Sequence, residues 1–528
     1  MKNILKIALF WSCLMLNYTA HAQLTWQRVV GSPSNESVLD LILTNDSNYA
    51  LTGFMDELDS TRVLLCKMDL NGNIIWNKTY LMNSYSFGKS LIQTNDGGYL
   101  IAGDTYGVLN EILLIRTNNM GDTLWTRTIQ DTIGLTSRTI FQKNNGSFIL
   151  SGDLQTSNGF FFIEMDTAGN IVWSKKYLTN KVVTSQTLQT TNGALFTVGE
   201  EWGTLDSTRT LCLQMDSYGN LLENKTIQLS GSEMMFAQSV SNTIDSGLIV
   251  AGVNYSRTSR YKIILTKLNN NMDVLWNKVI SDSTGGYMPF DIYIKQCLDS
   301  GFIITGGARE DFIDSLSMYL LKTDEQGNVL WSRIIGALDS PRGEAAYQVI
   351  QNSDGGYLVG GYTDFLGAST IGVKDIYLVK TDGEGNSSCW NYPGHFVSQA
   401  GNVLIDSIPI QVDTGVVCIQ QSVSIRIPVL RNDTLCFTSS VQEVKGNYPK
   451  LYCHPNPVRD FTLISFPNPN NLKCSLTLYD MTGRVRRKML RVENTLTRIE
   501  KGDLEAGLYI FEINSETKVI GVGKLLIE

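Results

Sequence analysis

The chain has 528 residues, longer than a single compact core usually holds, so more than one unit is expected. Hydrophobic residues make up 43% and charged residues 18%, a balance that excludes a disordered chain. The formal net charge of −8 argues against a nucleic-acid partner, because no basic stripe offsets repulsion from phosphate.

The first residues have the three parts of a secretory signal. Lys2 and Lys6 give a positive start, residues 7–16 form a short apolar run, and Ala20-His21-Ala22 is a small-x-small cleavage site. Cleavage is expected between Ala22 and Gln23, leaving a signal peptide of residues 1–22. The run is too short to span a bilayer, and Cys13 lacks the small-residue box of a lipoprotein signal. No later stretch is apolar enough to cross a membrane, so no transmembrane segment is expected in the mature chain.

After Gln23 comes a strand over residues 24–30 with no preceding partner. A unit then opens: a strand over 37–43, a turn at Asn45-Asp46-Ser47, a second strand ending at Gly53, and a third over 62–68. An Asp-x-x-Gly-Asn turn (Asp69 to Asn73) leads into a fourth strand carrying Trp76. The alternation and the Gly, Asn and Asp punctuation predict antiparallel strands. The second strand can be followed seven times, ending at Gly53, Gly103, Gly152, Gly199, Gly252, Gly306 and Gly361. The turn-and-fourth-strand stretch recurs before Trp173 and Trp331, with weaker copies ending at Trp125, Glu223 and Trp276, and lone end-pieces at Trp26 and Trp390. The period is about 50 residues, the size of a four-stranded blade.

The expected fold is therefore all-β: a β-propeller of seven blades, with six or eight as the alternatives, followed by a small C-terminal β-sandwich. Seven three-strand groups plus the orphan strand predict ring closure, with residues 24–30 as the outer strand of the seventh blade. Asn386 to Trp390 could instead form a strand of its own. The repeated residues have structural roles. Asp and Asn bond their own turn, Gly72 supplies a positive φ, and Trp76 and its copies suit packing between blades.

Proline use marks the boundaries. None occurs from residue 34 to 288, and eight of eleven follow Trp390. The expected organisation is a propeller over 23–391, a connecting β-segment over 392–445 and a C-terminal domain over 446–528. Cys66, Cys212 and Cys297 sit singly in strand-like runs and read as buried thiols. Cys389, Cys418, Cys436, Cys453 and Cys474 crowd the last part, where export permits disulfides whose pairing the sequence leaves open.

The last 80 or so residues carry four ordered motifs. Tyr452-Cys453-His454-Pro455-Asn456-Pro457-Val458-Arg459-Asp460 opens the segment, and Leu478-Tyr479-Asp480-Met481-Thr482-Gly483-Arg484 follows. Ala506-Gly507-Leu508-Tyr509 and Gly523-Lys524-Leu525-Leu526 complete the set. These residues resemble the type A C-terminal sorting domain of the type IX secretion system of Bacteroidota. The matching positions are Asn456, Pro457, Asp460, Tyr479, Asp480, Gly483, Gly507, Tyr509 and Lys524. The resemblance implies recognition by the type IX secretion machinery, passage through the periplasm and the outer membrane, then removal of this domain and attachment to surface lipopolysaccharide, or release. Cys453-His454 departs from the family's usual Tyr-Pro-Asn-Pro run, and with Cys474 it offers a disulfide unusual for the family.

The repeats resemble PQQ-like and related tryptophan-motif propellers, in which Asp, Gly and Trp fall in a turn-then-strand pattern. Here the spacing before the glycine is one residue shorter, and the cofactor-binding set that the resemblance implies is not found, so no cofactor is expected. The sialidase Asp-box is similar in composition but shorter. Histidine narrows the chemistry further: His21, His395 and His454 all lie outside the repeats. A His-based triad within the ring is thereby excluded, and no His-ligated metal site is expected there. Acidic neighbours such as Glu200-Glu201, Glu310-Asp311 and Asp382 with Glu384 read as solvated loops rather than a glycosidase pair. The Asp/Asn turns read as ordinary turns rather than calcium sites. No catalytic, cofactor or metal residues are assigned. A non-catalytic binding, adhesion or scaffold module with a glycan or protein ligand is expected. A secreted glycan-active hydrolase or degenerate quinoprotein-like enzyme is the alternative.

Overall fold

The computed structural model describes residues 23–527 apart from short segments, the longest of which are 311–315, 337–342, 365–372, 441–450 and 467–472. Two compact units divide the chain at residue 441, and each is described by itself. Among the described residues every named element is a strand, and no helix is long and apolar enough to cross a membrane.

The first unit is a propeller of seven blades. Six blades run inner to outer in chain order, as in Glu36–Leu43, Tyr49–Glu57, Ser60–Met68 and Ile74–Leu81 for blade 1. The seventh takes Glu344–Gln351, Tyr357–Thr363 and Asp375–Thr381 from the end of the repeats and Gln23–Gly31 from the N-terminus. Trp26 lies opposite Lys380 in this closing pair, so the ring is shut by the orphan strand that the sequence predicts. Residues 386–390 are irregular, with bends at 388–390, rather than the extra strand considered as an alternative.

Blades stack face to face, and this decides which strands bury both sides. Tyr99–Thr105 and Phe148–Leu154 are buried at every position, so the middle strands read as continuous apolar runs. Outer strands such as Ile171–Leu178 remain partly open.

The blades have five strands, not four. Residues 391–440 travel round the disc against the chain order and add one outer strand to each blade. Asn391–Pro393 pairs with blade 6, Phe396–Ala400 with blade 5 and Val403–Asp406 with blade 4. Gln411–Asp413 then joins blade 3, Val417–Gln420 blade 2 and Ser424–Arg426 blade 1. Finally Arg431–Ser440 runs the full length of the N-terminal strand on blade 7. We call this segment the belt. The belt is anchored by side chains and linkers too: Phe396, in its second strand, is buried against Tyr319, and in a linker the Ile408 amide donates to Asn224.

Among the described residues one disulfide, Cys389–Cys436, joins the two ends of the belt. Cys66, Cys212 and Cys297 are buried thiols, as expected. Cys453 and Cys474 remain thiols and do not form the tail disulfide considered above.

The second unit is a small sandwich of a three-stranded and a four-stranded antiparallel sheet. Its core gathers Ile464, Leu476, Leu478, Ile499, Phe511, Ile513 and Leu525.

Candidate functional site

Successive strands of a blade alternate in direction. The turns after the first and third strands therefore share one face of the disc, and the loops after the second and fourth share the other. We call these the turn face and the loop face. The innermost strands surround a central channel of about 690 Å³.

Every innermost strand carries a bulge opposite its second strand, where one extra residue re-aims the chain toward the channel. The extra residue is Leu39, Lys89, Arg138, Ser185, Gln238 or Tyr347 in six blades. In blade 6, Asp291 and Ile292 together oppose Gly306, and Asp291 takes a φ of 51°.

Polar side chains just past the bulges stitch neighbouring blades. Asp40 accepts from the Leu91 amide at 2.7 Å, and Ser90 from that of Ile140 at 3.2 Å. Thr139 accepts from Thr187, Gln186 from Val240, and Ser239 from Ile294. Gln348 then donates to Asp40 at 2.9 Å, linking blade 7 back to blade 1. Burial pushes the Asp40 carboxyl up to about 6, although the Leu91 and Leu41 amides and Lys295 oppose the rise.

Three cations also line the channel: Lys89, Arg138 and Lys295. Lys89 pairs with Asp104, and Arg138 with Asp153 at 2.6 Å. Both acids are buried and also reach the next blade. Asp104 accepts from the Ser137 amide and hydroxyl, and Asp153 accepts from those of Thr184. Lys295 lies 5.5 Å from the Tyr293 ring centre. Glu200 sits near Arg138 and Asp153, with burial raising its carboxyl above the ordinary range. Burial raises Asp291 likewise.

The loop face carries aromatic groups and charge. Phe87 packs edge-on against Phe54 at 5.2 Å and Tyr106 at 5.3 Å. Tyr255 meets Tyr261 at 4.9 Å, and Tyr347 meets Tyr362 at 5.9 Å. Lys374 stands 4.2 Å above the Tyr362 ring, and Trp202 is 49% exposed. A further depression of about 360 Å³ opens beside Asp56, Asp59 and Tyr85.

The turn face is a repeated joint. A Cβ added at Gly121 would lie 2.9 Å from the Trp76 ring of the preceding blade. The same holds for Gly72 under Trp26, Gly169 under Trp125, Gly219 under Trp173, Gly327 under Trp276 and Gly385 under Trp331. Each of these glycines also has a φ between 74° and 81°, so two independent reasons exclude a side chain there. Blade 4 has Glu223 instead of tryptophan, and blade 5 has Met272 instead of glycine, at φ 57° and almost fully buried.

A basic residue two positions past each tryptophan site bridges the same joint in all seven blades. Arg28 reaches Asn73, Lys78 reaches Asp122, and Arg127 reaches the Ala168 carbonyl. Lys175 reaches Asn220, Lys225 Asp273, Lys278 Asn328 and Arg333 Asn386. Sequence reasoning missed this ring, although the constant two-residue offset was a signal that could have found it.

The acidic pairs do not converge. Glu201 is held by Arg209 at 2.8 Å, and Asp382 accepts the amides of Glu384 and Asn386 within its turn. Asp311 lies outside the described residues. Asp69 and its counterparts likewise direct their oxygens into their own turns, at Asn71 and Asn73 for example. Among the described residues no group of three or more metal-ligating side chains assembles.

Of the cleavage pair, Ala22 lies outside the described residues, and Gln23 begins the closing strand opposite Ser440. In the second unit Asn456 donates to the Lys524 carbonyl and accepts from the Leu526 amide at 2.8 Å, pinning the Asn456-Pro457 turn to the last strand. Asp460 gives its carbonyl to the Lys501 amide. Tyr479 and Asp480 lie opposite Ile510 and Tyr509, and Asp480 binds Arg486 at 2.7 Å. The Tyr509 hydroxyl donates to Glu505, and Gly507 starts the adjoining strand. Gly483 lies outside the described residues. Asn456, Tyr479, Asp480, Gly507, Tyr509 and Lys524 thus gather on the four-stranded sheet and the edge of its last strand, while Asp460 lies at the end of the three-stranded one.

No curated protein matches the chain. Solved structures of similar outline include a protein of unknown function from Dyadobacter fermentans, at 11% identity and a TM-score of 0.41, covering 67% of this chain and 97% of that one. An α-L-arabinanase from Penicillium chrysogenum complexed with arabinobiose has 9% identity and a TM-score of 0.36, covering 69% and 98%. The extracellular domains 1–2 of Drosophila Semaphorin 1b have 10% identity and a TM-score of 0.38, covering 66% and 88%. The blade count rests on strand pairing, not on these likenesses. The C-terminal unit is matched by a family model described as a secretion system C-terminal sorting domain, over residues 452–528. Behind a seven-bladed propeller, the chain carries a secretion system C-terminal sorting domain as its last unit.

Proposed function

We propose that the chain is a cell-surface or released recognition protein, delivered by the type IX system after removal of residues 1–22. Its propeller is a non-catalytic module that binds a glycan or protein ligand on the loop face, around the channel mouth. The observation that carries this reading is the contrast between faces. The turn face repeats one joint, whereas the loop face varies its aromatic and charged groups from blade to blade. Aromatic rings beside charged groups suit sugar faces and polar peptide chains.

The test is to screen residues 23–528 on glycan, polysaccharide and protein arrays, with product analysis of every hit. Binding without turnover, weakened at least tenfold by Trp202→Ala with Tyr106→Ala, supports the reading. A hit that ignores those changes but responds to turn-face substitutions overturns it.

A second reading has one observation in its favour. Glu200 is a carboxyl raised by burial near the channel, the condition of a general acid in glycoside hydrolysis. Product formation abolished by Glu200→Gln would establish a glycan-active hydrolase instead.

A further inference from the structure

The belt begins two residues after Cys389 and passes the outer edges of blades 6, 5, 4, 3, 2, 1 and 7 in that order. Its last strand contains Cys436, bonded back to Cys389. The loop closed by this bond therefore encircles the propeller. Everything meets at Gln27, which is fully buried in the ring-closing strand opposite Cys436. Its amide nitrogen donates to Ser387 at 2.6 Å and to the Cys389 carbonyl, and its oxygen accepts from Tyr377 at 2.6 Å.

We propose that the Cys389–Cys436 disulfide is a tension clasp, which carries force from the sorting domain directly to the propeller body and keeps the belt from being stripped off.

The argument is one of loading geometry. The sorting domain continues from the belt's last strand, so a pull on the tail enters the propeller at Ser440. That residue is the end pair of an antiparallel ladder running from Gln23–Ser440 to Gly31–Arg431. A ladder pulled from its end opens one pair at a time, each step opposed by only one or two hydrogen bonds. The belt strands that would follow are short. Ser424–Arg426 and Gln411–Asp413 are each held by three residue pairs, and Asn391–Pro393 likewise. Peeling would therefore continue round the disc from blade 1 to blade 6.

The disulfide interrupts this. After Ser440, Ser439, Thr438 and Phe437 separate, the pull reaches Cys436. There it passes through a covalent bond to Cys389, and through residues 382–388 to Asp375–Thr381, a central strand of blade 7. Residues between the two cysteines carry no load. Opening the clasp needs a reductant: a dithiol such as dithiothreitol gives up two electrons and two protons, becomes a cyclic disulfide, and leaves Cys389 and Cys436 as thiols.

The test is single-molecule stretching of residues 23–528. One handle sits on the C-terminus and the other on an azide-bearing residue replacing Met120, an exposed turn position far from the belt junction in sequence. The oxidised protein, the same protein after dithiothreitol, and Cys389→Ser with Cys436→Ser are compared. The reduced and double-serine forms are expected to release an early, low-force length that the oxidised form lacks. The cysteines are 47 residues apart, so that length is roughly 160 Å at the reach of an extended chain. Equal early extension in oxidised and reduced protein overturns the proposal, and so does a double-serine form that behaves like the oxidised one. The reduced wild-type chain provides the comparison even where the variant folds poorly.

Discussion

The two faces of the propeller are built on different rules. On the turn face a single joint is copied round the ring, and its one exception keeps the rule in altered form. Where blade 4 lacks tryptophan, at Glu223, blade 5 supplies Met272 at the position that is glycine elsewhere, and this side chain is buried against Ile227 and Val279. The joint conserves filled volume, and either side can provide it. Among the described residues of the loop face no joint is copied round the whole ring in this way. Electrostatics divide the faces as well. On the turn face Asp122 is held below the usual carboxylate range by the Lys78 hydrogen bond, and Asp273 by Asn269 and Lys225. On the loop face burial pushes Glu36 up to about 8 and raises Glu200.

The strongest way to break the comparison is a side chain at a turn glycine. Gly121→Val adds bulk within 2.9 Å of Trp76 at a φ of 77° and is expected to lose roughly 2–4 kcal/mol in denaturant unfolding, leaving loop-face binding unchanged. A variant as stable as the parent would mean that the joint is not shaped by contact.

Next comes pH. Glu36 accepts hydrogen bonds from Ser32 but is fully buried, and its folded value of about 8 exceeds the ordinary unfolded value of about 4.3. The folded state then holds a proton that the unfolded state has released between those values, so stability falls as pH rises from about 4 to about 8. Glu36→Gln should match the parent at pH 4 and exceed it by roughly 2–4 kcal/mol at pH 8. A parallel pH–stability curve for the two proteins would remove Glu36 from the account.

The exceptional joint offers a sharper test. Met272→Gly relieves the backbone but empties the joint, for a net loss of about 1–3 kcal/mol. Adding Glu223→Trp should recover about half or more of that loss, and a double-mutant cycle reads the coupling. Additive effects would refute shared volume. The smallest effect is expected from Lys78→Met, about 0.5 kcal/mol, because Asp122 is well exposed. A loss several times larger would show that the basic ring is a main brace rather than trim.

Much of this architecture was legible in the residues. The period, the closing strand before Gly31 and the Asp-Gly-Trp joint all follow from local spacing, because each repeat shows the same short-range pattern. The belt was not legible. Its strands run from three to ten residues, six of them five residues or shorter, and their partners lie from 56 residues away to the far end of the repeats, as with Ile335–Asn391 and Leu81–Ser424. Periodicity cannot report pairing so distant, and the same limit hid the choice of Cys436 for Cys389. On the loop face the notable groups, such as Lys374 over Tyr362, come from different strands, and no spacing rule joins them.

The reversed course of the belt also sets a timetable. Blade 6 receives its fifth strand from residues 391–393, while blade 1, finished to four strands by residue 81, waits for residues 424–426. The earliest blade made is thus among the last completed, and the N-terminal strand waits longest, for both Asp375–Thr381 and Arg431–Ser440. A chain emerging from the ribosome or from a translocation pore has no finished blade until nearly three quarters of it is out. Contacts this remote in sequence make for slow final assembly. Such a chain stays incomplete, and so deformable, for most of its synthesis, and acquires its final rigidity in one late round.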